Sequence, residues 1–159
     1  MKKWECVVCG FIYDEAEGLP DKETPIVVLT SDDGRNYSKP MLSAGFTKEK
    51  TADDLCMATP EKVAEQFNVE VRTDVHVAEI DPSGKRVLLP DDHLDYSKLV
   101  LALGADTWTP PLEGDAVGDV FSVNDLMDYG KFRSALKGAK KVTILGGGLI
   151  GCEFANDLS

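Results

Sequence analysis

The chain has 159 residues, 17 of them Lys or Arg against 28 Asp or Glu, for a formal net charge of −11. With 43% hydrophobic and 28% charged residues, it has the composition of a globular protein and not of a collagen-like, disordered or low-complexity chain. The acidic balance argues against nucleic acid and anionic membrane as partners, because like charges repel.

In chain order, Met1-Lys2-Lys3-Trp4-Glu5-Cys6 has no apolar stretch behind its lysines, so no secretory signal is read and a cytoplasmic location is expected. Disulfides are then not expected. Cys6 and Cys9 form C-x2-C followed by Gly10, a spacing at which two thiolates on a tight loop face one metal ion. A tetrahedral site needs two further ligands. Cys56 and Cys152 are isolated and read as small buried hydrophobes; two free thiols on a surface turn are the lesser alternative to a metal-facing pair at Cys6 and Cys9.

After the acidic, turn-rich residues 1–21 the texture changes. Pro25 to Thr30 is a β-branched run and reads as a buried strand. Thr51-x-x-Asp54 resembles a capping box, and Thr59-Pro60-Glu61 starts a second helix with Pro at its first position. Val69 to Ile80 and Arg86 to Leu89 alternate around Asp81-Pro82-Ser83-Gly84 and predict an antiparallel hairpin. Lys98 to Leu103 predicts a buried strand ending at Gly104, and its apolar run is too short to span a membrane. A helix is expected from Asn124, as its cap, to about Leu136, stopped by Gly138. Lys141 to Leu145 predicts one more buried strand.

That last strand runs into Gly146-Gly147-Gly148-Leu149-Ile150-Gly151, which fits G-x-G-x-x-G, and a helical pattern follows at once. In such a turn Gly146 makes the sharp bend, Gly148 lets a pyrophosphate approach the backbone, and Gly151 brings strand and helix together. The phosphates then meet the unpaired N–H groups of a helix N-terminus. The alternation of buried strands with helical segments predicts an α/β fold, a parallel-sheet core assembled from parts of two Rossmann-like dinucleotide-binding domains behind a small N-terminal knuckle.

Two resemblances emerge. Lys3-Trp4-Glu5-Cys6-Val7-Val8-Cys9-Gly10-Phe11-Ile12-Tyr13-Asp14 and Glu17-Gly18-Leu19-Pro20-Asp21 resemble the first half of a rubredoxin, which holds iron in four cysteine thiolates. Its second knuckle is missing here. From about Glu23 onward the chain resembles the rubredoxin–NAD reductases, flavoproteins of the disulfide-reductase-like superfamily. The residues that carry this are Leu29 to Leu42, with Tyr37-Ser38-Lys39-Pro40-Met41-Leu42 the most specific, then Tyr96 to Ala105, then Leu145 to Ala155. The flavin's own Gly-rich turn, expected just before Glu23, is not in the sequence. The seam at Asp21–Glu23 therefore reads as one internal deletion. The resulting divisions are a partial rubredoxin-like segment at 1–21, a partial FAD-binding domain at 22–112 and the start of an NAD-binding domain at 113–159.

The resemblance implies hydride transfer from NAD(P)H to FAD and electron transfer onward to the iron of a rubredoxin partner. Lys39 would stabilise charge on the reduced flavin, and Glu153 would pair with that lysine beside the nicotinamide. Asp32 would hold a ribose, although Asp33 fits almost as well. Arg35, Pro40, Val77, Ala102, Leu103 and Gly104 would border the flavin, Gly146, Gly148 and Gly151 the nicotinamide dinucleotide, and Cys6 and Cys9 the iron. Two other readings compete with this one. One is a metal-binding electron-transfer module completed by a second copy of the chain; the other is a non-catalytic remnant.

Overall fold

Caps written into the sequence fix most of the helix starts in the computed structural model, which describes residues 25–159 in full and strands β1 (Lys3–Glu5) and β2 (Ile12–Asp14) at their backbone. Helix α1 (Ala52–Leu55) opens on the expected box: the Thr51 hydroxyl accepts from the Asp54 N–H, and the Asp54 carboxylate accepts from the Thr51 N–H. Helix α2 (Pro60–Phe67) is capped by Thr59, carries Pro at its first turn, and ends at Asn68 with φ 52°. A left-handed terminus of this kind suits Asn.

Helix α3 (Leu126–Ala135) starts one residue later than expected. Its cap is Asp125, which accepts from the Asp128 N–H at 2.7 Å, not Asn124. The reason is not local: the Asn124 side-chain NH2 donates to the Ala105 carbonyl, 19 positions back, at 2.9 Å. Replacing Asp125 by Ala should therefore cost about 1 kcal/mol of stability, and replacing Asn124 by Ala less. Urea titrations of the two variants decide between the caps.

Strand β3 (Val27–Leu29) pairs in parallel with β6 (Glu70–Arg72), with Val28 opposite Val71. The crossover between them holds β4 (Asn36–Tyr37), a 3-10 turn (Lys39–Ala44), α1, β5 (Cys56–Ala58) and α2. Strands β4 and β5 pair antiparallel. The residues expected to form one long hairpin arm divide: Glu70–Arg72 joins β3, while β7 (Glu79–Asp81) begins a separate meander with β8 (Arg86–Leu88) and β9 (His93–Asp95). Two sheets compete for that stretch, and Val69 to Arg72 has the apolar residues to serve the parallel one. The meander turn closes as predicted, with the Asp81 carboxylate accepting from the Gly84 N–H at 2.8 Å.

The core is Leu42, Leu55, Leu126 and Tyr129, flanked by Tyr37, Met41, Phe46, Ala52, Cys56 and Val123. Two expected strands are not formed. Lys98 to Leu103 and Lys141 to Leu145 carry no ladder, and Leu103 is 85% and Leu145 65% exposed. An apolar run becomes a buried strand only if strands on its edges take up its N–H and C=O groups. Among the described residues neither run has such a neighbour. What remains is an α/β arrangement whose parallel pairing rests on β3 and β6.

Candidate functional site

The glycine turn leads into helix α4 (Leu149–Asp157), with Gly148 at its N-cap and no side chain capping it. The first helical bond runs from the Cys152 N–H to the Gly148 carbonyl at 3.0 Å, so the N–H groups before it have no acceptor within the helix. A Cβ built at Gly146, Gly147 or Gly148 would meet no atom within 4 Å. Gly146 has φ +119°, a conformation reserved for glycine. Gly151 differs: a Cβ there would strike the Gly146 carbonyl. The third glycine is thus required by the turn itself, while Gly148 leaves room for a ligand. These features suit a pyrophosphate: an uncapped helix N-terminus under an unobstructed glycine surface.

Across 110 residues of sequence, α4 lies against the segment that carries Lys39 and Pro40. The Ser43 hydroxyl donates to Glu153 Oε2 at 2.5 Å. One helical turn on, Asp157 Oδ2 accepts from the Phe46 N–H at 2.7 Å and Oδ1 from the Thr47 N–H at 2.9 Å. Burial pushes the Asp157 carboxyl up, but the Thr47 and Phe46 donors outweigh it and hold the group below the ordinary aspartate value. Lys39 and Pro40 are exposed at the start of the 3-10 turn. Lys39 and Glu153 make no ion pair within 4.0 Å among the described residues; the partner Glu153 takes is Ser43.

Asp32 and Asp33, which the sequence leaves nearly equivalent, differ in their bonds. The Asp33 carboxylate is taken by Arg35, whose Nε lies 2.7 Å away and whose other arm reaches Asp53 at 2.9 Å. Among the described residues Asp32 uses Oδ1 alone, accepting from Thr30 Oγ1 at 2.6 Å and the Gly34 N–H at 2.9 Å. Its backbone carbonyl accepts from the Asp74 N–H, and the Thr30 carbonyl from the Val75 N–H. These bonds bring the stretch leading to Val77 beside Asp32, with Val77 itself exposed. Ala102, Leu103 and Gly104 are exposed, and the Asn124 amide donates to the carbonyl of the following residue, Ala105, at 2.9 Å. Cys6 and Cys9 lie outside the described residues.

Ser43, Thr47 and Asp157 are contacts that residue-by-residue reading misses. The signal for one of them is present: Glu153 and Asp157, four apart, share a helix face. No local pattern identifies their partners.

Residues 13–159 match the family described as Pyridine nucleotide-disulphide oxidoreductase. Over 139 residues the chain is 88% identical to a Rubredoxin-NAD(+) reductase of Alcanivorax borkumensis, covering 87% of this chain and 36% of that protein. A Nitric oxide reductase FlRd-NAD(+) reductase of Vibrio vulnificus is 39% identical over the same shares of the two chains. Among solved structures, the NADH:rubredoxin oxidoreductase of Clostridium acetobutylicum superposes with a TM-score of 0.70 at 28% identity, covering 84% of this chain and 35% of that one. The chain thus spans about a third of the length of the curated relatives it matches. It belongs to the pyridine nucleotide-disulphide oxidoreductase family.

Proposed function

We propose that this chain carries the contact region between flavin and nicotinamide of a cytoplasmic oxidoreductase of the rubredoxin reductase type, passing electrons from NAD(P)H through FAD to a rubredoxin iron centre. The observation that carries this reading is the docking of α4, with its glycine turn and Glu153, against the Lys39–Pro40 segment through Ser43 and Asp157. Two stretches over 100 residues apart, each implied by the reductase resemblance to face one cofactor, are brought to one place. The similarity to a reductase at 88% identity over 139 residues supports the same reading.

The chain's residues divide the work by position. Gly146 and Gly148 leave backbone N–H groups free for a dinucleotide pyrophosphate, and the α4 dipole favours its negative charge. Asp32, whose Oδ2 has no partner among the described residues, is the acid placed to accept from ribose hydroxyls, whereas Asp33 is spent on Arg35. Lys39 would supply a positive charge where electron density accumulates, while the Glu153 carboxylate is held by Ser43 on the same 3-10 segment. Bound FAD would supply the hydride-accepting and one-electron-donating chemistry. The backbone near Val77 and the loop Ala102–Gly104 would border it, together with Arg35 and Pro40. Cys6 and Cys9 offer two thiolates where an iron centre of this kind needs four. The divisions at 1–21, 22–112 and 113–159 belong to this proposal.

Gly148→Val is the sharp test. The new side chain meets open space and φ at Gly148 is −74°, so the fold should be untouched. In the flavin-loaded A. borkumensis reductase carrying the matching 139 residues of this chain, NADH affinity should fall on the order of a hundredfold. That fall is about 2.7 kcal/mol, the loss of one or two charge-assisted hydrogen bonds worth about 1.5–3 kcal/mol each as the pyrophosphate is displaced. Unchanged affinity would show the turn to be only a corner. Lys39→Ala in the same protein should slow flavin reduction without lowering its melting temperature.

A further inference from the structure

We propose that Asp157 is a positioning residue for hydride transfer: it latches the helix behind the glycine turn onto the loop behind Lys39, and so sets the spacing between the two. The inference rests on the function proposed above. It starts from an anomaly of burial. Asp157 is only 8% exposed and Ser43 only 6%, and α4 turns two carboxylates, Glu153 and Asp157, toward the same neighbour. Like charges at i and i+4 repel, and burying either carboxylate is costly unless each finds donors. Each does. Glu153 takes the Ser43 hydroxyl, and Asp157 takes two consecutive backbone N–H groups with its two oxygens. The Thr47 hydroxyl also donates to the Asp157 carbonyl at 3.1 Å.

The loop that receives these bonds is gripped from its other side as well. The Tyr129 hydroxyl donates to the Lys50 carbonyl at 2.6 Å, and the Arg133 guanidinium lies 5.2 Å from the Phe46 ring centre. Residues 45–50 are therefore held between α3 and α4. Lys39 precedes Ser43 by four residues in one 3-10 turn, and Gly151 precedes Glu153 by two in α4. With both ends rigid, the latch fixes where the lysine stands relative to the glycine turn. A misplacement of about 1 Å at such a site costs on the order of a hundredfold in rate.

Titration does not disturb the latch near neutrality. Asp157 faces Lys48 on the loop and Tyr129 on α3; Arg133 bonds that same Tyr129, and Glu153 lies one turn back on α4. Its folded-state pKa is depressed, so the stability it adds is fully present above the unfolded value of about 3.9. That stability is lost only as pH falls through the lower folded value.

Asp157→Asn keeps the shape but sets an NH2 group against one of the two backbone N–H donors. In the flavin-loaded chimeric reductase, stopped-flow bleaching of the flavin at saturating NADH should slow about tenfold or more, with NADH affinity changed far less. Val87→Ala, in the β7–β8–β9 meander, provides a variant destabilised away from the site. Should Asp157→Asn lose no more rate than Val87→Ala, Asp157 is merely structural and the proposal falls. In this chain alone, amide exchange at Phe46 and Thr47 should accelerate in Asp157→Asn; unchanged exchange means that there is no latch. An unsubstituted chimera that leaves its flavin oxidised overturns the proposed function and with it the role in hydride transfer. The exchange data separate that failure from failure of the latch.

Discussion

Mixed with excess FAD and NADH, the 159-residue polypeptide on its own should emerge colourless from gel filtration and leave NADH unoxidised. One glycine turn of the G-x-G-x-x-G type is present, at Gly146–Gly151, and a second pyrophosphate would need a second set of aligned N–H donors. Of the residues assigned to the flavin, Asp32 is bonded to the stretch just before Val77, while Val77 and Leu103 themselves are exposed. The unformed strands at Lys98–Leu103 and Lys141–Leu145 remove the sheet on which both dinucleotides would rest. The check is absorbance in the flavin region after gel filtration, followed by a rate assay with NADH and an artificial acceptor. A stoichiometrically yellow protein that reduces the acceptor would show that the flavin is held by residues other than those named here.

The second large effect concerns Tyr129, which is fully buried and central to the core. Tyr129→Ala should destabilise the fold by about 3–5 kcal/mol, the range for deleting a buried aromatic ring. Its ring packs edge-on to Phe46 at 5.2 Å between centroids, and its hydroxyl donates to Lys50. Burial pushes the phenol pKa up, so the hydroxyl remains a donor throughout the neutral range. Tyr129→Phe keeps the ring and removes only the donor, and should cost about 1 kcal/mol. Urea denaturation followed by circular dichroism measures both. Equal losses in the two variants would place the energy in the hydrogen bond rather than in the ring.

Local chemistry was legible in the sequence wherever a residue's partner lies a few positions away. Thr51 and Asp54, Thr59 and Lys62, and Asp81 and Gly84 all close the bonds their spacing predicts. The cap at Asp125 was missed by one position because a residue 19 places back, Ala105, claims Asn124. Strands fared worse for the same reason carried further. Pairing is decided by a neighbour, and Val69–Arg72 chose β3 over the hairpin, while Leu99–Leu103 found none. In the candidate site, the glycine turn could be read directly, since its chemistry is its own backbone. The bonds from Glu153 to Ser43 and from Asp157 to Phe46 and Thr47 join positions about 110 apart, and no periodicity encodes them.

The unpaired run Leu99–Leu103 has a consequence for the chain in concentrated solution. Apolar, exposed and without a ladder partner among the described residues, it is a template on which a second copy could add a strand, the first step of ordered aggregation. What opposes this is colloidal: at neutral pH each copy carries a formal charge of −11, and approaching copies repel one another. That protection is neutralised near the isoelectric point of about 4.5 and is screened within about 10 Å at 0.1 M salt. Acidic or high-salt handling therefore exposes the sticky edges, whereas neutral, low-salt solution keeps copies apart.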